Sequence, residues 1–233
     1  MTRKVAVVTA ASKGMGAACA TELAQRGYDM VLMSRSDAVL ELANKLQGMG
    51  LIGDVMNPAD LERVVSGAYQ RYGRIDAIVN NTGHPPKGDL LEISDQQWHD
   101  GLDLLLLNVV RTARHVVPIM EKNGGGSIVN ISSFGAREPS PAFPLSSALR
   151  ASLSAFTKLF ADRYADRRVP MNTVLPGFVD SYPIDNQTKA QIPMQRSGST
   201  KEIAKTVAFL LSDDAGYITG QSICVDGGLG RSF

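Results

Sequence analysis

Residues 5–16 combine an apolar run with a loop of small residues that could bind a phosphate group. Val5–Thr9 has the composition of a buried strand, and Ala10-Ala11-Ser12-Lys13-Gly14-Met15-Gly16 then opens a predicted helix that extends towards Gly27. Small side chains let the backbone approach a pyrophosphate, and the N–H groups and dipole of the helix favour its negative charge. By itself the loop also fits a tight strand-to-helix turn with no ligand.

The composition of the chain is that of an ordinary folded protein with one sizeable core. Its 233 residues are 44% hydrophobic and 20% charged, which excludes intrinsic disorder. A net charge of +1 leaves no excess of cations to favour a nucleic acid or an anionic membrane. Cys19 and Cys224 lack metal-ligand spacing, which predicts two free, buried thiols and no metal site. We therefore expect a cytoplasmic protein without nucleic-acid or membrane partners.

Short β-branched runs alternate with longer segments of helical period along the chain. This alternation is typical of a parallel sheet with helices on both faces. The predicted strands are Val5–Thr9, Met30–Ser34, 51–52, 75–80, Ser127–Ile131, 171–175 and Ser222–Val225.

Three helix starts and one helix end are marked by capping residues. Asn57 and Pro58 have the types preferred just before and at the first helical position, and Gly73 is expected to end that helix. The spacing of a capping box occurs twice more, in Ser94 with Gln97 and in Ser199 with Glu202.

No linker, repeat or low-complexity tract divides the chain, so residues 1–233 are predicted to form a single dinucleotide-binding domain. The least regular stretch is 176–197, which contains Gly177, Pro183 and Pro193. It follows a strand on the side where doubly wound sheets bind their ligands. We expect this segment to cover the substrate.

Further motifs occur in order along the whole chain, which resembles the short-chain dehydrogenase/reductase family from end to end. That family's glycine loop, Thr-Gly-x-x-x-Gly-x-Gly, is matched by Thr9, Gly14 and Gly16, with Ala10 in place of the first glycine. The other matching segments are Asp54-Val55, Asn80-Asn81-Thr82-Gly83, Asn108, 128–133, Pro176-Gly177, 218–221 and 225–228. The resemblance implies a Rossmann-type α/β fold, with a doubly wound parallel sheet of seven strands in three α/β/α layers and strand order 3-2-1-4-5-6-7.

The resemblance also implies a nicotinamide cofactor and the residues that hold it. The predicted cofactor-binding residues are Thr9, Ala10, Ser12, Lys13, Gly14, Met15, Gly16, Ser34, Arg35, Asp54, Val55, Asn81, Gly83, Arg150, Pro176, Gly177, Val179 and Ser181.

Charge at the end of the second predicted strand indicates which cofactor is used. NAD-binding proteins of this fold usually place a carboxylate there, whereas the 2′-phosphate of NADP needs cations. This chain has Ser34-Arg35-Ser36 at that point, and Lys13 in the glycine loop is a second cation. The planar fork of Arg35 can pair with phosphate oxygens. We therefore predict NADP(H), although two solvated surface charges would give the same pattern.

The catalytic centre is where the chain departs from the family. Family members carry a tyrosine and, four residues later, a lysine on the helix that follows the serine strand. With Ser133 as the serine, these positions fall on Ser146 and Arg150. An aliphatic hydroxyl is a far poorer acid than a phenol, and arginine does not release its proton. Ser133 and Asn108 could still hold a substrate oxygen or a water, and Arg150 could bind the nicotinamide ribose.

Two residues elsewhere could supply the missing acid. Tyr182 follows the Pro176-Gly177 turn, and His84 follows the Asn81-Thr82-Gly83 turn; the fold analogy brings both near the site, and ordinary loop contacts would explain either one.

Three functions stay open from the sequence. The leading one is an NADP-dependent oxidoreductase with an altered proton donor, acting on a small carbonyl, alcohol or similarly polarised compound. The alternatives are a nucleotide-binding sensor, scaffold or subunit with little turnover, and a non-redox lyase such as the dehalogenases that share the fold. Those relatives carry arginine at the lysine position but keep the tyrosine and have lost the cofactor loop, which weakens the lyase alternative. The resemblance also implies a homo-oligomer, a tetramer or a dimer.

Overall fold

The structure, a computed structural model, describes residues 3–232. Its strands form one parallel sheet in the order β3-β2-β1-β4-β5-β6-β7, which confirms the predicted Rossmann-type topology. The strands are β1 Val5–Thr9, β2 Asp29–Ser34, β3 Met49–Ile52, β4 Ala77–Asn80, β5 Ser127–Ile131, β6 Met171–Pro176 and β7 Ser222–Val225.

Two strand starts differ from the predicted ones by two residues. β3 begins at Met49, and its Gly50 packs closely on the helix Ala38–Lys45: a Cβ on Gly50 would lie 2.9 Å from the Cβ of Ala43. A glycine carries no apolar side chain, so the strand pattern was hidden there. β4 begins at Ala77, and the carboxylate of the preceding Asp76 accepts the Val5 N–H at 2.7 Å.

Helices cover both faces of the sheet and give the three predicted layers. Apolar side chains of α1, α2 and α8 pack on one face, and those of α3, α5 and α6 pack on the other. The helices are α1 Gly14–Gln25, α2 Ala38–Lys45, α3 Pro58–Tyr72, α4 Asp95–Leu102, α5 Asn108–Lys122, α6 Pro144–Tyr164, α7 Asn186–Gln191 and α8 Thr200–Leu210. No helix within residues 3–232 is long and apolar enough to cross a membrane.

The predicted caps set the helix boundaries. The Asn57 side chain accepts the Ala59 N–H at the start of α3, and Gly73 ends that helix with φ of 72°. Both capping boxes form, at the starts of α4 and α8. The prediction for the thiols was half right: both cysteines are free, but Cys224 is only partly buried, because it lies on the edge strand β7.

Strand register brings three chain segments to one edge of the sheet. Asn80 on β4 is level with Asn130 on β5, and its Nδ2 donates to the Asn130 Oδ1 at 2.9 Å. Ile131 is in turn level with Val174 on β6. Residues 81–84, 132–133 and 177–182 therefore all leave the sheet at its carboxyl edge, where doubly wound folds bind ligands.

Candidate functional site

An open cleft of about 530 Å³ lies along this carboxyl edge. One end is formed by the turn between β1 and α1 together with the residues that follow β2 and β3. The other end is formed by the segment after β4 and by the loop after β6. The lining residues are Ala10, Ser12, Lys13, Gly14, Met15, Ser34, Arg35, Ser36, Gly53, Asp54, Val55, Asn81, Thr82, Gly83, His84, Leu104, Ser181 and Tyr182.

The glycine loop has the geometry of a phosphate cradle. A Cβ on Gly16 would lie 2.4 Å from the Ala10 carbonyl oxygen and 2.7 Å from the Asn81 Nδ2, so only glycine fits there. The first turn of α1 has no acidic residue, and Lys13 immediately before it is exposed. This arrangement fits the pyrophosphate of a dinucleotide, because uncapped N–H groups and a nearby cation attract an anion.

Hydrogen bonds to Thr9 fasten the glycine loop to the neighbouring strand end. Its hydroxyl donates to the Asn81 carbonyl at 2.7 Å and accepts the Asn81 N–H at 2.9 Å. Ala10 follows with φ of 46°, a left-handed conformation that glycine adopts without strain. Alanine is the smallest residue with a Cβ, and it preserves the turn at a conformational cost.

The same end of the cleft carries the charges predicted to select the cofactor. The Arg35 side chain is 75% exposed, with its Nη1 3.8 Å from the Asp54 Oδ2. The Ser34 hydroxyl donates to the Ser12 hydroxyl at 2.9 Å, which joins the end of β2 to the glycine loop. The cations Arg35 and Lys13 and the hydroxyls of Ser34 and Ser12 thus line the same cleft. This combination of donors suits an anionic group.

Ser146 and Arg150 are neighbours on the first turns of α6. Arg150 is 4% exposed; its Nε donates to the Ser146 Oγ at 3.2 Å, and its Nη1 donates to the Ile131 carbonyl at 3.2 Å. Burial lowers the pKa of the Arg150 guanidinium to about 10. Within residues 3–232 no carboxylate forms an ion pair with it, so the structure holds a buried guanidinium among neutral partners.

Ser133 is partly buried, and Asn108 is buried. The Ser133 Oγ accepts the Gly135 N–H at 3.3 Å and starts the short turn Phe134–Ala136. Asn108 is buried, and its Nδ2 donates to the Leu104 carbonyl. A π-helical turn, Asp103–Leu107, leads into Asn108, and such turns are frequent at functional sites.

His84 and Tyr182 meet at the other end of the cleft. Their ring centroids are 5.1 Å apart in an edge-to-face arrangement. Desolvation lowers the pKa of His84, and the positive charges of Arg150 and Lys87 lower it further. The imidazole is therefore held in its neutral form near neutral pH.

The loop after β6 is more ordered than its composition indicates. Pro176 still belongs to β6, and residues 186–191 form α7, whose first turn is capped by the Asp185 carboxylate. Val179 pairs with Gly198 in an isolated bridge. The loop also approaches the glycine loop, because a Cβ on Gly14 would lie 3.6 Å from the Ser181 Cβ.

Most of the residues predicted to bind the cofactor line the cleft, and a few lie behind it. Those that do not line it are Thr9, Gly16, Arg150, Pro176, Gly177 and Val179. Lining residues that the sequence did not indicate include Thr82 and Leu104. The Thr82 Oγ1 is buried without a hydrogen-bond partner among the described residues, as is the Ser132 Oγ. Thr82 lies within the matching segment Asn80-Asn81-Thr82-Gly83, where the family has Asn-Asn-Ala-Gly, and this replacement of alanine was a signal that could have identified it.

Sequence comparisons match the chain over nearly its full length. A family model described as Enoyl-(Acyl carrier protein) reductase matches residues 9–230. Dehydrogenase/reductase SDR family member 4 of Homo sapiens is 34% identical over 244 residues, covering 98% of this chain and 88% of that protein. The 3-oxoacyl-(acyl-carrier-protein) reductase FabG of Escherichia coli (strain K12) is 34% identical over 236 residues, covering 97% of each chain.

Solved structures give the same result. L-sorbose reductase from Gluconobacter frateurii, complexed with NADPH and L-sorbose, superposes with a TM-score of 0.93 at 28% identity, covering 100% of this chain and 98% of that one. Acetoin dehydrogenase YohF from Salmonella typhimurium superposes with a TM-score of 0.90 at 32% identity, covering 99% and 98%.

The strand order and the glycine loop define a Rossmann-type α/β protein. With the full-length matches above, the chain belongs to the short-chain dehydrogenase/reductase family, whose members are NAD(P)-dependent oxidoreductases of carbonyl and alcohol substrates.

Proposed function

We propose that this protein is an NADP(H)-dependent oxidoreductase that transfers a hydride to or from a small carbonyl or alcohol with an altered proton donor. The observation that carries the proposal is the continuous cleft, which runs from Lys13 and Arg35 at one end to His84 and Tyr182 at the other. Such a cleft can hold a dinucleotide and a small substrate side by side. A single dinucleotide-binding domain spanning residues 1–233 would bind both the dinucleotide and the substrate.

The preference for NADP is supported by the charges at the end of β2. Arg35 stands where a carboxylate would select NAD, and Lys13 adds a second cation in the same cleft. The carboxylate within reach of Arg35, Asp54, also accepts the Met56 N–H at 3.0 Å. Arg35 is exposed enough to turn from Asp54 towards a phosphate.

Proton transfer must differ from that of family members that carry a tyrosine. When bound, NADPH supplies the hydride, and the protein has to stabilise or protonate the substrate oxygen. Ser146 and Arg150 form a hydroxyl–guanidinium pair on α6 at the positions that the resemblance gives to tyrosine and lysine. The guanidinium offers hydrogen-bond donors and a fixed positive charge, which favour an oxyanion without giving up a proton. Ser133 and Asn108 orient the substrate oxygen or a water beside it.

A binding protein with little turnover is the second candidate. It is favoured by the way Arg150 is engaged: its Nε and Nη1 are already hydrogen-bonded to Ser146 and to the Ile131 carbonyl. A serine hydroxyl and a guanidinium are both poor acids near neutral pH. The protein would then bind NADP(H) as a sensor, scaffold or subunit.

Assembly and location form part of the same proposal. Leu159 on the outer side of α6 is 67% exposed, and Phe156 beside it is only partly buried, which supports packing of this helix against a second copy. A homotetramer, or failing that a dimer, is expected from the family resemblance. The two free cysteines fit a reducing, cytoplasmic location.

The decisive experiment combines cofactor titration with a substrate panel. Intrinsic fluorescence or calorimetry with NADPH and with NADH gives the two affinities, and NADPH absorbance then follows turnover on small ketones, aldehydes and sugars. We expect tighter binding of NADPH and measurable reduction of at least one carbonyl. Binding without turnover on any compound would favour the second candidate, and no binding of either nucleotide would refute both.

A further inference from the structure

Arg150 carries a buried charge that its own protein does not neutralise. The guanidinium is almost fully buried, and its hydrogen-bond partners, the Ser146 hydroxyl and the Ile131 carbonyl, are both neutral. A buried cation without an anionic partner is costly, because the desolvation penalty is not offset by a Coulombic attraction. An anion that reaches this position would be bound strongly.

A second cation stands at the start of the same helix. The Lys87 Nζ lies 4.9 Å from the ring centroid of Phe143, the residue directly before α6. Lys87 is exposed, and within residues 3–232 no carboxylate is paired with it. The first turn of α6 has no acidic residue, and its N-cap makes no side-chain hydrogen bond. The helix dipole and Lys87 thus add positive potential at the N-terminal end of α6, the helix that carries Arg150.

The carboxylates of the surrounding loops are engaged elsewhere. Glu138, between β5 and α6, accepts the backbone N–H groups of Arg231 and Ser232 at 2.7 and 2.6 Å. Asp226 accepts those of Gly228 and Gly230, and Asp185 accepts that of Thr188. Each of these charges is satisfied by local N–H donors, whereas both cations have neutral partners. This asymmetry leaves the α6 end of the site positively charged.

We propose that the substrate is a small oxo or hydroxy acid whose carboxylate binds Arg150, with Lys87 guiding it into the site. This inference rests on the proposed oxidoreductase function and adds the substrate class. The planar fork of arginine matches the two oxygens of a carboxylate, and the guanidinium keeps donors beyond those given to Ser146 and Ile131. The neutral hydroxyls of a cofactor ribose cannot offset its charge.

The cofactor's own anions are accounted for at the other end of the cleft. Its pyrophosphate is assigned to the glycine loop at Gly14 to Gly16, and its 2′-phosphate to Arg35 with Lys13. Neither group is expected beside Ser146, which lies on a different helix from the glycine loop. The charge of Arg150 is therefore left for the substrate.

Matched pairs of acids and esters test the proposal. Pyruvate, acetoacetate and levulinate place a carboxylate at three distances from a ketone, and their methyl esters remove the charge and keep the ketone. Turnover is followed by NADPH absorbance, and binding of each compound to the NADP-loaded protein is measured by calorimetry. We expect at least one acid to exceed its ester by about 10- to 100-fold in kcat/KM and in affinity, the value of a charged hydrogen bond.

Substitutions of Arg150 and Lys87 test whether these two cations cause the preference for acids over esters. Arg150→Gln should abolish the difference between acid and ester, whereas Arg150→Lys should retain part of it because the charge remains. Lys87→Gln should reduce the preference by a smaller factor that disappears at high salt. Lys205→Gln removes a charge from the exposed side of α8 and should change neither ratio. NADPH affinity, measured for every variant, separates effects on the cofactor.

The outcomes distinguish the proposed preference for acids from the proposed oxidoreductase function. Reduction of esters as fast as acids, with equal affinities, would overturn the acid preference and leave the oxidoreductase function standing. An acid preference in binding that survives Arg150→Gln would overturn the role of Arg150. Binding of an acid but not its ester, without any turnover, would support the anion site and count against the oxidoreductase function.

Discussion

The two ends of the cleft are built in different ways. At the glycine-loop end the main chain determines what can bind, because Gly16 has no room for a Cβ and Thr9 ties the loop to Asn81. On the first turns of α6, which lie behind the lining of the cleft, the identity of the side chains determines the chemistry. There the Arg150 guanidinium is held by Ser146 and by the Ile131 carbonyl, and no backbone feature demands either side chain.

This difference explains which end tolerates substitution. Ala10 adopts φ of 46° where the family has glycine, and the loop keeps its shape, since main-chain geometry needs only a small residue. A substitution at Ser146 or Arg150 changes which hydrogen bonds the site can donate. The cofactor end can thus be retained while the reaction at the other end diverges.

The largest effect is expected from Ser146→Tyr with Arg150→Lys. If the cofactor and substrate are positioned as in relatives, the pair restores a phenol and the cation that lowers its pKa. Turnover of a carbonyl should rise by up to about 10²–10⁴-fold, the range of general acid catalysis. Ser146→Tyr alone should help less, because the Arg150 head occupies the space beside residue 146 and cannot relay a proton.

NADPH affinity is measured for this double change as well, because residue 150 is predicted to bind the nicotinamide ribose and a loss of cofactor binding has to be separated from a change in turnover. A fall in turnover at unchanged NADPH affinity would show that the native pair, or another residue, already acts as the proton donor. Tyr182→Phe and His84→Ala would then identify that residue as the one whose loss abolishes turnover while NADPH still binds.

The next largest effect tests the cofactor end. Gly16→Val forces a branched side chain against the Ala10 carbonyl, where even a Cβ would lie 2.4 Å away. Overpacking of this kind costs about 1–3 kcal/mol in unfolding free energy and should displace the loop enough to remove NADPH binding. Thermal unfolding and fluorescence titration measure the two losses. Gly198→Ala is the matched control, since its Cβ would lie 3.8 Å from the Phe178 carbonyl, an ordinary contact.

The sequence predicted the sheet order and the caps because both follow from local patterns. Apolar runs marked the strands, and Asn57, Pro58 and Gly73 marked a helix from end to end. The start of β3 was missed because Gly50 interrupts the apolar pattern. The short helix α7 was missed because its six residues lie between prolines in a polar loop.

The site was only partly accessible to sequence reasoning. Motifs located the glycine loop. They could not show that Arg150 hydrogen-bonds only to neutral groups, or that the His84 ring contacts the Tyr182 ring. Those facts depend on how loops after β4, β5 and β6 fold against one another, and no local pattern encodes such contacts. Lys87 was not singled out for the same reason: its relation to α6 arises only from the tertiary contact with Phe143.

A smaller effect is expected from Arg35→Ala. Loss of the guanidinium should weaken NADPH binding by about 10-fold and leave NADH binding nearly unchanged, since an exposed charge pair is partly screened by solvent. Calorimetric titration with both cofactors gives the ratio. Lys45→Ala removes an equal charge from the exposed end of α2 and should alter neither affinity. An unchanged ratio in Arg35→Ala would remove the phosphate assignment and with it the charge argument for NADP.

The smallest effect is expected at His84, which lies at the end of the cleft opposite Lys13 and Arg35. Its pKa is lowered by desolvation and by the charges of Arg150 and Lys87, so the neutral form prevails near neutral pH. A neutral imidazole can accept or donate a hydrogen bond but is a poor proton source, and His84→Gln should reduce turnover by less than about 10-fold. Because the pKa of His84 is lower in the native protein, the unfolded chain binds the proton more readily. The free energy of unfolding therefore decreases as the pH falls below the ordinary pKa of histidine, and His84→Gln should lessen this decrease. A loss of several orders of magnitude, with turnover declining as pH rises through the His84 pKa, would instead make His84 the proton donor and move the reaction away from Ser146 and Arg150.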